Sequence, residues 1–145
     1  MKKLFYLSFI FLTILNPNLY SQNETHKYAF SIEEFNLQYN NHVGNDWAYG
    51  VNITLDGQEY SLSKFSRNPL ILDINYNSEL EIIAIAQEQD TYPDTGYDSF
   101  SLNIQELFMN VTYEIELFIT VTEDKGRYAG NTAEWKCVVL VEKVE

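Results

Sequence analysis

Apolar and polar residues alternate along most of this chain from residue 28 onward. The clearest runs are 113–121 and 133–141, in which apolar residues stand at every second position. Period two is the spacing of a β-strand, whose successive side chains point to opposite faces. The same runs are rich in Tyr, Phe, Ile, Val and Thr, which fit strands well. The pattern therefore predicts an all-β chain.

Local sequence features predict where individual strands bend, pair and lie in the sheet. Within 28–39 the apolar parity switches, which predicts a β-bulge near residues 33 and 34. Asp56-Gly57 is a strong hairpin signal and predicts that Ile53 pairs with Tyr60 and Val51 with Leu62. Residues 79–87 carry apolar residues at both parities, which predicts a central strand covered on both sides. Further strands are expected at 70–74 and 100–104, and a helical turn within 105–110.

About eight strands joined by short connections are typical of an antiparallel two-sheet β-sandwich. Each strand reverses direction, so alternate connections lie at the same end. Four loops should therefore share one rim: 40–47, 65–69, 88–98 and 123–131.

Acidic residues are concentrated in these loops. The segment 88–98 reads Glu-Gln-Asp-Thr-Tyr-Pro-Asp-Thr-Gly-Tyr-Asp, and the neighbouring loops add acids of their own. Ca²⁺ takes six to eight oxygen ligands in flexible geometry, whereas the EF-hand spacing does not fit this segment. The sequence thus predicts a Ca²⁺ site between strands, with the alternative of a solvated acidic turn. Its candidate ligands are Asp46, Glu88, Asp90, Asp94, Asp98 and Asp124, with Glu123, Asn41 and Asn45 nearby.

Four aromatic residues are predicted on the same rim: Trp47, Tyr92, Tyr97 and Tyr128. Aromatic rings beside carboxylates suit carbohydrate recognition, while packing of the loops on themselves is the other explanation. The expected function is that of an adhesive or protein-binding or ligand-binding module, with a carbohydrate-binding module as the alternative.

The first residues have the pattern of a secretory signal peptide. Lys2 and Lys3 precede an apolar run at 4–15, and Ser21 offers a small residue before a cut near Gln22. This predicts a signal peptide at 1–21 and a single mature domain at 22–145 that is secreted, periplasmic or at the cell surface. The apolar run is too short to span a bilayer and no later stretch is long enough, so no transmembrane segment is expected.

The net negative charge of the chain limits the classes of partner that it can bind. Removing Lys2 and Lys3 from nine basic residues leaves seven against 21 acidic ones, a mature charge of about −14 with His neutral. Such a chain repels phosphate backbones, which argues against nucleic acid. The same charge would suit an acidic inhibitor or immunity-type protein acting on a basic partner, a third functional class.

Enzyme chemistry has little support in the residues. Cys137 falls at an inner strand position and is the only cysteine, so it is expected to be a buried small hydrophobe. His42 is a lone loop histidine, and His26 lies near the mature N-terminus. No Gly-rich phosphate loop, zinc-ligand spacing or nucleophile elbow is present. We therefore expect no enzymatic activity.

Residues 80–107 have apolar alternation running into Glu88-x-Asp90, then Asp94 and Asp98, then an apolar strand ending in Gln-Glu-Leu. This arrangement resembles the third calcium loop of C2-type β-sandwich domains, and 114–141 are compatible with the end of such a domain. The resemblance covers about residues 80–141. It implies a C2-like sandwich topology, with an immunoglobulin-like topology as the alternative, and calcium at the acidic loops.

Overall fold

The computed structural model describes residues 24–62 and 68–145. These residues form eight strands: β1 (Thr25–Asn40), β2 (Trp47–Leu55), β3 (Gln58–Leu62), β4 (Leu70–Asn75), β5 (Leu80–Glu88), β6 (Thr95–Leu102), β7 (Thr112–Thr122) and β8 (Thr132–Lys143). A single 3-10 turn, Ile104–Glu106, lies between β6 and β7. The expected signal peptide at 1–21 lies outside the described residues.

The strands form two four-stranded antiparallel sheets, in the orders β4-β1-β8-β7 and β3-β2-β5-β6. The predicted β-sandwich is therefore confirmed. Asp56 and Gly57 turn β2 into β3 with φ of 48° and 82°, and Ile53 pairs with Tyr60 as expected. The pairing of β1 with β8 shifts between Ile32 and Glu34, which confirms the predicted bulge.

The core lies between the sheets and is built from one face of each strand. In β8, all five alternate positions from Ala133 to Val141 are buried, as their parity predicted. In β5, Leu80, Ile82, Ala84 and Ala86 are buried, but the outer Ile83 and Ile85 are only half-buried. Within the described residues β5 is therefore covered on one side, and the prediction of cover on both sides was wrong. A two-layer sandwich leaves each outer face to solvent, and Ile is favoured there by strand propensity alone.

One side of the sandwich is closed by β6 and β7, the last strands of their sheets. A Cβ on Gly96 would lie 2.2 Å from the carbonyl oxygen of Thr120, so only glycine allows β6 to come this close to β7. Asp98 Oδ2 accepts the backbone N–H of Phe118 at 2.8 Å. This seam fixes where the loops that precede β6 and follow β7 meet.

Three of the predicted rim loops do meet at one end. The backbone N–H of Asn41 donates to the Thr132 carbonyl at 3.0 Å, and that of Gln89 donates to the Asp46 carbonyl at 2.7 Å. The fourth predicted loop, 65–69, falls largely in 63–67, outside the described part of the chain. In the described ranges no helix has the length and apolarity needed to cross a bilayer.

Candidate functional site

The rim is organised around Glu88, the last residue of β5. It pairs with Trp47 and continues the inward-facing row of Leu80, Ile82, Ala84 and Ala86, so its side chain lies at the end of the core. Glu88 is only 7 % exposed, and no other polar or charged residue of the described chain is buried to this degree. A carboxylate at a core position needs compensation for the water that it has lost.

The loop 41–46 covers Glu88 and leaves room for its carboxylate. A Cβ on Gly44 would lie 2.2 Å from Glu88 Oε1, so the carboxylate takes the space that any larger residue would fill. Gly44 also has φ of 79°, a conformation that other residues adopt only with strain. Asn40 holds this loop, because its Oδ1 accepts the N–H of Val43 at 2.9 Å and its Nδ2 donates to the Gly44 carbonyl at 2.8 Å.

The loop between β5 and β6 brings two further carboxylates to the same place. The N–H of Glu88 donates to the Asp94 carbonyl at 2.9 Å, which closes the loop at its base. Asp90 Oδ1 accepts the N–H of Tyr92 at 2.6 Å, a local turn that orients the carboxylate. Asp94 Oδ1 accepts the N–H of Asp124 at 3.2 Å and so ties this loop to the one between β7 and β8.

Together these loops enclose a cleft of about 660 Å³. Its lining includes four carboxylates, those of Glu88, Asp90, Asp94 and Glu123, and it is completed by Leu37, Asn40, His42, Val43, Gly44, Asn45 and Tyr128. The ion pairs found among the described residues join Lys27, Lys136 and His26 to acids outside this group. The cleft is thus an acidic site with no basic side chain in contact with its carboxylates in the described structure.

The charge of Glu88 is disfavoured by its surroundings. Burial raises the pKa of Glu88 above its usual value, and the negative charge of Asp90 raises it further. Asp94 and Asp46 add to this increase in the pKa, while a hydrogen bond from the Asp90 backbone opposes it. Asp46 therefore lies close enough to act on Glu88, although it does not line the cleft.

Besides Asp46, two further predicted ligands do not line the cleft. Asp98 lies within β6, where its carboxylate accepts the N–H groups of Phe118 and Ser99. Asp124 contributes its backbone N–H at the rim, and its side chain is not among the groups that line the cleft. No three His, Cys, Asp or Glu side chains of the described residues are already gathered around one metal position.

The four predicted rim aromatics separate in the structure. Trp47 points toward the core and meets Trp135 edge to face at 5.2 Å between ring centroids. Tyr128 stacks on His42 at 5.7 Å, and Tyr92 lies under the ammonium of Lys125 at 5.2 Å. Tyr97 is in β6, paired with Ile85, and is away from the cleft. Two of these rings thus pack against residues of neighbouring loops, and Trp47 packs against the core.

Comparisons with known proteins give no further assignment. The chain matches no protein-family model and no curated protein. The function must therefore be argued from the chemistry of the rim.

Sequence reasoning did not identify Asn40, Gly44 and Val43 as parts of this site. Asn40 and Gly44 shape the loop over Glu88, and Val43 anchors it with only 2 % of its surface exposed. Their roles depend on contacts between loops that are distant along the chain, although the left-handed preference of glycine was a usable signal for Gly44.

Proposed function

We propose that this protein is an exported, non-catalytic binding module whose rim cleft binds Ca²⁺. The observation that carries the proposal is the buried Glu88 carboxylate, which lies among Asp90, Asp94 and Asp46 without a basic partner in the described structure. A bound cation would offset both the lost hydration of Glu88 and the repulsion from its neighbours.

Calcium fits this cleft better than the transition metals do. Its polar lining is made of carboxylate and amide oxygens with one histidine, and hard cations prefer oxygen. Asp90 and Asp94 each use one carboxylate oxygen in a backbone hydrogen bond, which leaves the other oxygen for a ligand. Ca²⁺ tolerates irregular geometry and a variable number of ligands, whereas Mg²⁺ demands a near-ideal octahedron, so carboxylates of the described residues that are not yet gathered around one point suit Ca²⁺ better.

We keep the C2-type resemblance as part of this proposal, with three of the four acidic residues of its motif as calcium ligands. Glu88, Asp90 and Asp94 are the residues of the acidic motif that line the cleft, while Asp98 serves the β6–β7 seam. We propose that calcium holds loops 41–46 and 89–94 together and so presents this end of the sandwich to a protein or glycan ligand. The excess of acidic residues favours a partner that is not nucleic acid.

The proposal is tested by thermal unfolding in EDTA, in CaCl₂ and in MgCl₂. At a calcium concentration ten times the Kd, linkage predicts about 1.4 kcal/mol of stabilisation. For a domain of this size the melting temperature should rise by roughly 5 °C. The rise should be selective for calcium.

Two isosteric variants locate the site. Asp94→Asn should remove the calcium response, because its carboxylate lines the cleft. Asp98→Asn is the control from the same acidic motif, because the residue lies outside the cleft and its asparagine oxygen can still accept the Phe118 N–H, although the bond from the Ser99 N–H is then lost. An equal calcium response in wild type and Asp94→Asn, or none in wild type, would contradict the assignment.

A further inference from the structure

The two outer faces of the sandwich differ in charge. On the β4-β1-β8-β7 sheet, every outward-facing row of residues across β1, β8 and β7 contains a charged residue. The charged residues of the five rows are, in order from the rim, Glu134; Lys136; Glu34 and Glu116; Glu114; and Glu142. The outer face of the other sheet has a different distribution of charge.

On the β3-β2-β5-β6 sheet, three neighbouring outward-facing rows carry no charge. The rows are Ala48–Gln87–Thr95, Gly50–Ile85–Tyr97 and Asn52–Ile83–Ser99, each read across β2, β5 and β6. The charged Glu59 and Glu81 stand one row further from the rim, beside Thr54 and Ser101. The described residues of these three rows thus form an uncharged patch on a protein whose net charge is −12.

In the middle row an exposed tyrosine and a glycine stand on either side of Ile85, and we call the strip between them the groove. Tyr97 is 73 % exposed, the largest exposure among the exposed hydrophobic side chains of the described residues. No atom of the described residues lies within 4 Å of the place where a Cβ on Gly50 would stand, so they leave the surface there open. Strands are spaced by about 4.8 Å, which separates Gly50 from Tyr97 by roughly 10 Å. Ile85 forms the floor between them.

The rows on either side supply uncharged hydrogen-bonding groups. Asn52 Oδ1 accepts from Ser61 Oγ at 3.0 Å, which fixes the amide and leaves its Nδ2 directed to other partners. Gln87 Nε2 donates to Thr95 Oγ1 at 2.8 Å on the opposite side of the groove. An exposed ring between oriented amides and hydroxyls is suited to a ligand that has an apolar face and many hydroxyl groups.

We propose that this outer face, centred on Tyr97, Gly50 and Asn52, is a binding site for a neutral carbohydrate chain. A sugar ring stacks its C–H face on Tyr97, and its hydroxyls exchange hydrogen bonds with the flanking amides and hydroxyls. An anionic ligand is repelled by the charge of the whole protein. A protein partner normally buries an apolar core within about 800 Å² on each side, whereas the described residues of these three rows offer only two half-buried isoleucines and one tyrosine as large apolar side chains.

Two variants and one control test the site. Tyr97→Ala removes the stacking surface, and Gly50→Val fills the open groove while improving strand propensity. Tyr39→Ala is the matched control, because Tyr39 is an exposed tyrosine, at 50 %, on the opposite sheet beside Glu134. Gly50→Val keeps the test informative if Tyr97→Ala lowers stability, since it should raise the melting temperature while it blocks the groove.

The probes are soluble neutral polysaccharides, namely β-glucan, mannan, xylan and galactan, in affinity gel electrophoresis, with alginate as the anionic control. Every gel is run in EDTA and in CaCl₂, because this face does not depend on the rim cleft and must bind in both. We expect retardation by at least one neutral polymer, about tenfold weaker in Tyr97→Ala and Gly50→Val, as when one aromatic stacking contact is lost. Binding should be unchanged in Tyr39→Ala.

Four results would overturn the proposal. The first is no retardation by any neutral polymer, and the second is retardation that occurs only in CaCl₂. The third is equal retardation of wild type, Tyr97→Ala and Gly50→Val. The fourth is self-association of the wild type, measured by light scattering, that Tyr97→Ala abolishes, because the face would then join two copies of the chain. A protein that binds a neutral polymer but shows no calcium response refutes the proposed function and leaves this inference standing.

Discussion

Replacing Glu88 by glutamine isolates the charge at the centre of the rim. Glutamine has nearly the same shape, and its side-chain oxygen can still accept the backbone hydrogen bond from Asp90. What the variant loses is a negative charge in a residue that is only 7 % exposed. In the absence of metal, we therefore expect Glu88→Gln to be more stable than the wild type at pH 7.

The pH dependence follows from the sign of the pKa change. Burial, Asp90, Asp94 and Asp46 raise the pKa of Glu88 in the folded state above its ordinary value of 4.5. The folded state then binds more protons than the unfolded state, so the wild type loses stability as the pH rises from 4.5 through the raised pKa. Glu88→Gln does not lose stability in this way. The difference in free energy of unfolding between the two proteins should therefore grow over this pH range and stay constant above it.

The size of the effect separates it from an ordinary surface change. Substitutions at exposed sites usually alter stability by less than about 0.5 kcal/mol. The gain in Glu88→Gln should exceed this value, which is roughly 2 °C in melting temperature for a domain of this size. The assay is urea unfolding in EDTA at a series of pH values from 4 to 8, with Glu134→Gln as the control, because Glu134 is exposed and lies outside the cleft.

Calcium should raise the stability of the wild type relative to that of Glu88→Gln. The ion stabilises the wild type by about 1.4 kcal/mol at ten times its Kd, and the variant gains little. If Glu88→Gln is no more stable than wild type in EDTA and follows the same pH profile, the surroundings of Glu88 do not disfavour its charge. The electrostatic reasoning about the rim would then be refuted.

Other predictions follow from single contacts. Gly96→Ala should lower the free energy of unfolding by about 2 kcal/mol, because a Cβ there meets the backbone of β7 at 2.2 Å. Gly50→Ala should instead raise it by roughly 0.5 kcal/mol. Equal effects of the two variants in urea unfolding would argue against the close contact between β6 and β7. Asn40→Ala should lower the free energy of unfolding by about 2 kcal/mol, because two hydrogen bonds are lost. It should also weaken calcium binding in titration calorimetry, and an unchanged affinity would show that loop 41–46 takes no part in the site. Asp56→Ala should lower the free energy of unfolding by roughly 1 to 2 kcal/mol, because its carboxylate accepts two hydrogen bonds from residues 78 and 79 and because alanine is strained at the φ of 48°. A loss of only a few tenths of a kcal/mol in urea unfolding would contradict both contributions.

The sequence predicted those parts of the fold that depend on local pattern. The Asp56-Gly57 hairpin needed only two residues with positive φ between two alternating strands, and the register of Ile53 with Tyr60 followed from it. The parity switch near Glu34 indicated the bulge because a half-buried strand cannot otherwise keep its apolar residues inward. The gathering of loops 40–47, 88–98 and 123–131 followed from antiparallel strand direction alone.

The details of β6 could not be predicted in this way. It begins at Thr95 rather than at Phe100, since pairing with β5 extends through Gln87 and outweighs the weak apolar alternation of 95–99. Asp98 and Tyr97 consequently lie on a strand, one in the seam with β7 and the other on the outer face. The burial of Glu88 was readable from its parity with Ala86, but the space that Gly44 leaves for it depends on a contact between two loops.

Isothermal titration calorimetry of the metal-free protein with CaCl₂ tests the central claim most directly. We expect saturable binding with a Kd on the order of 10⁻⁴ to 10⁻³ M, as in extracellular calcium modules, and its loss in Glu88→Gln but not in Glu134→Gln. No saturable binding up to about 10 mM, ten times the upper end of that range, would contradict the account. So would an isotherm that is unchanged in Glu88→Gln.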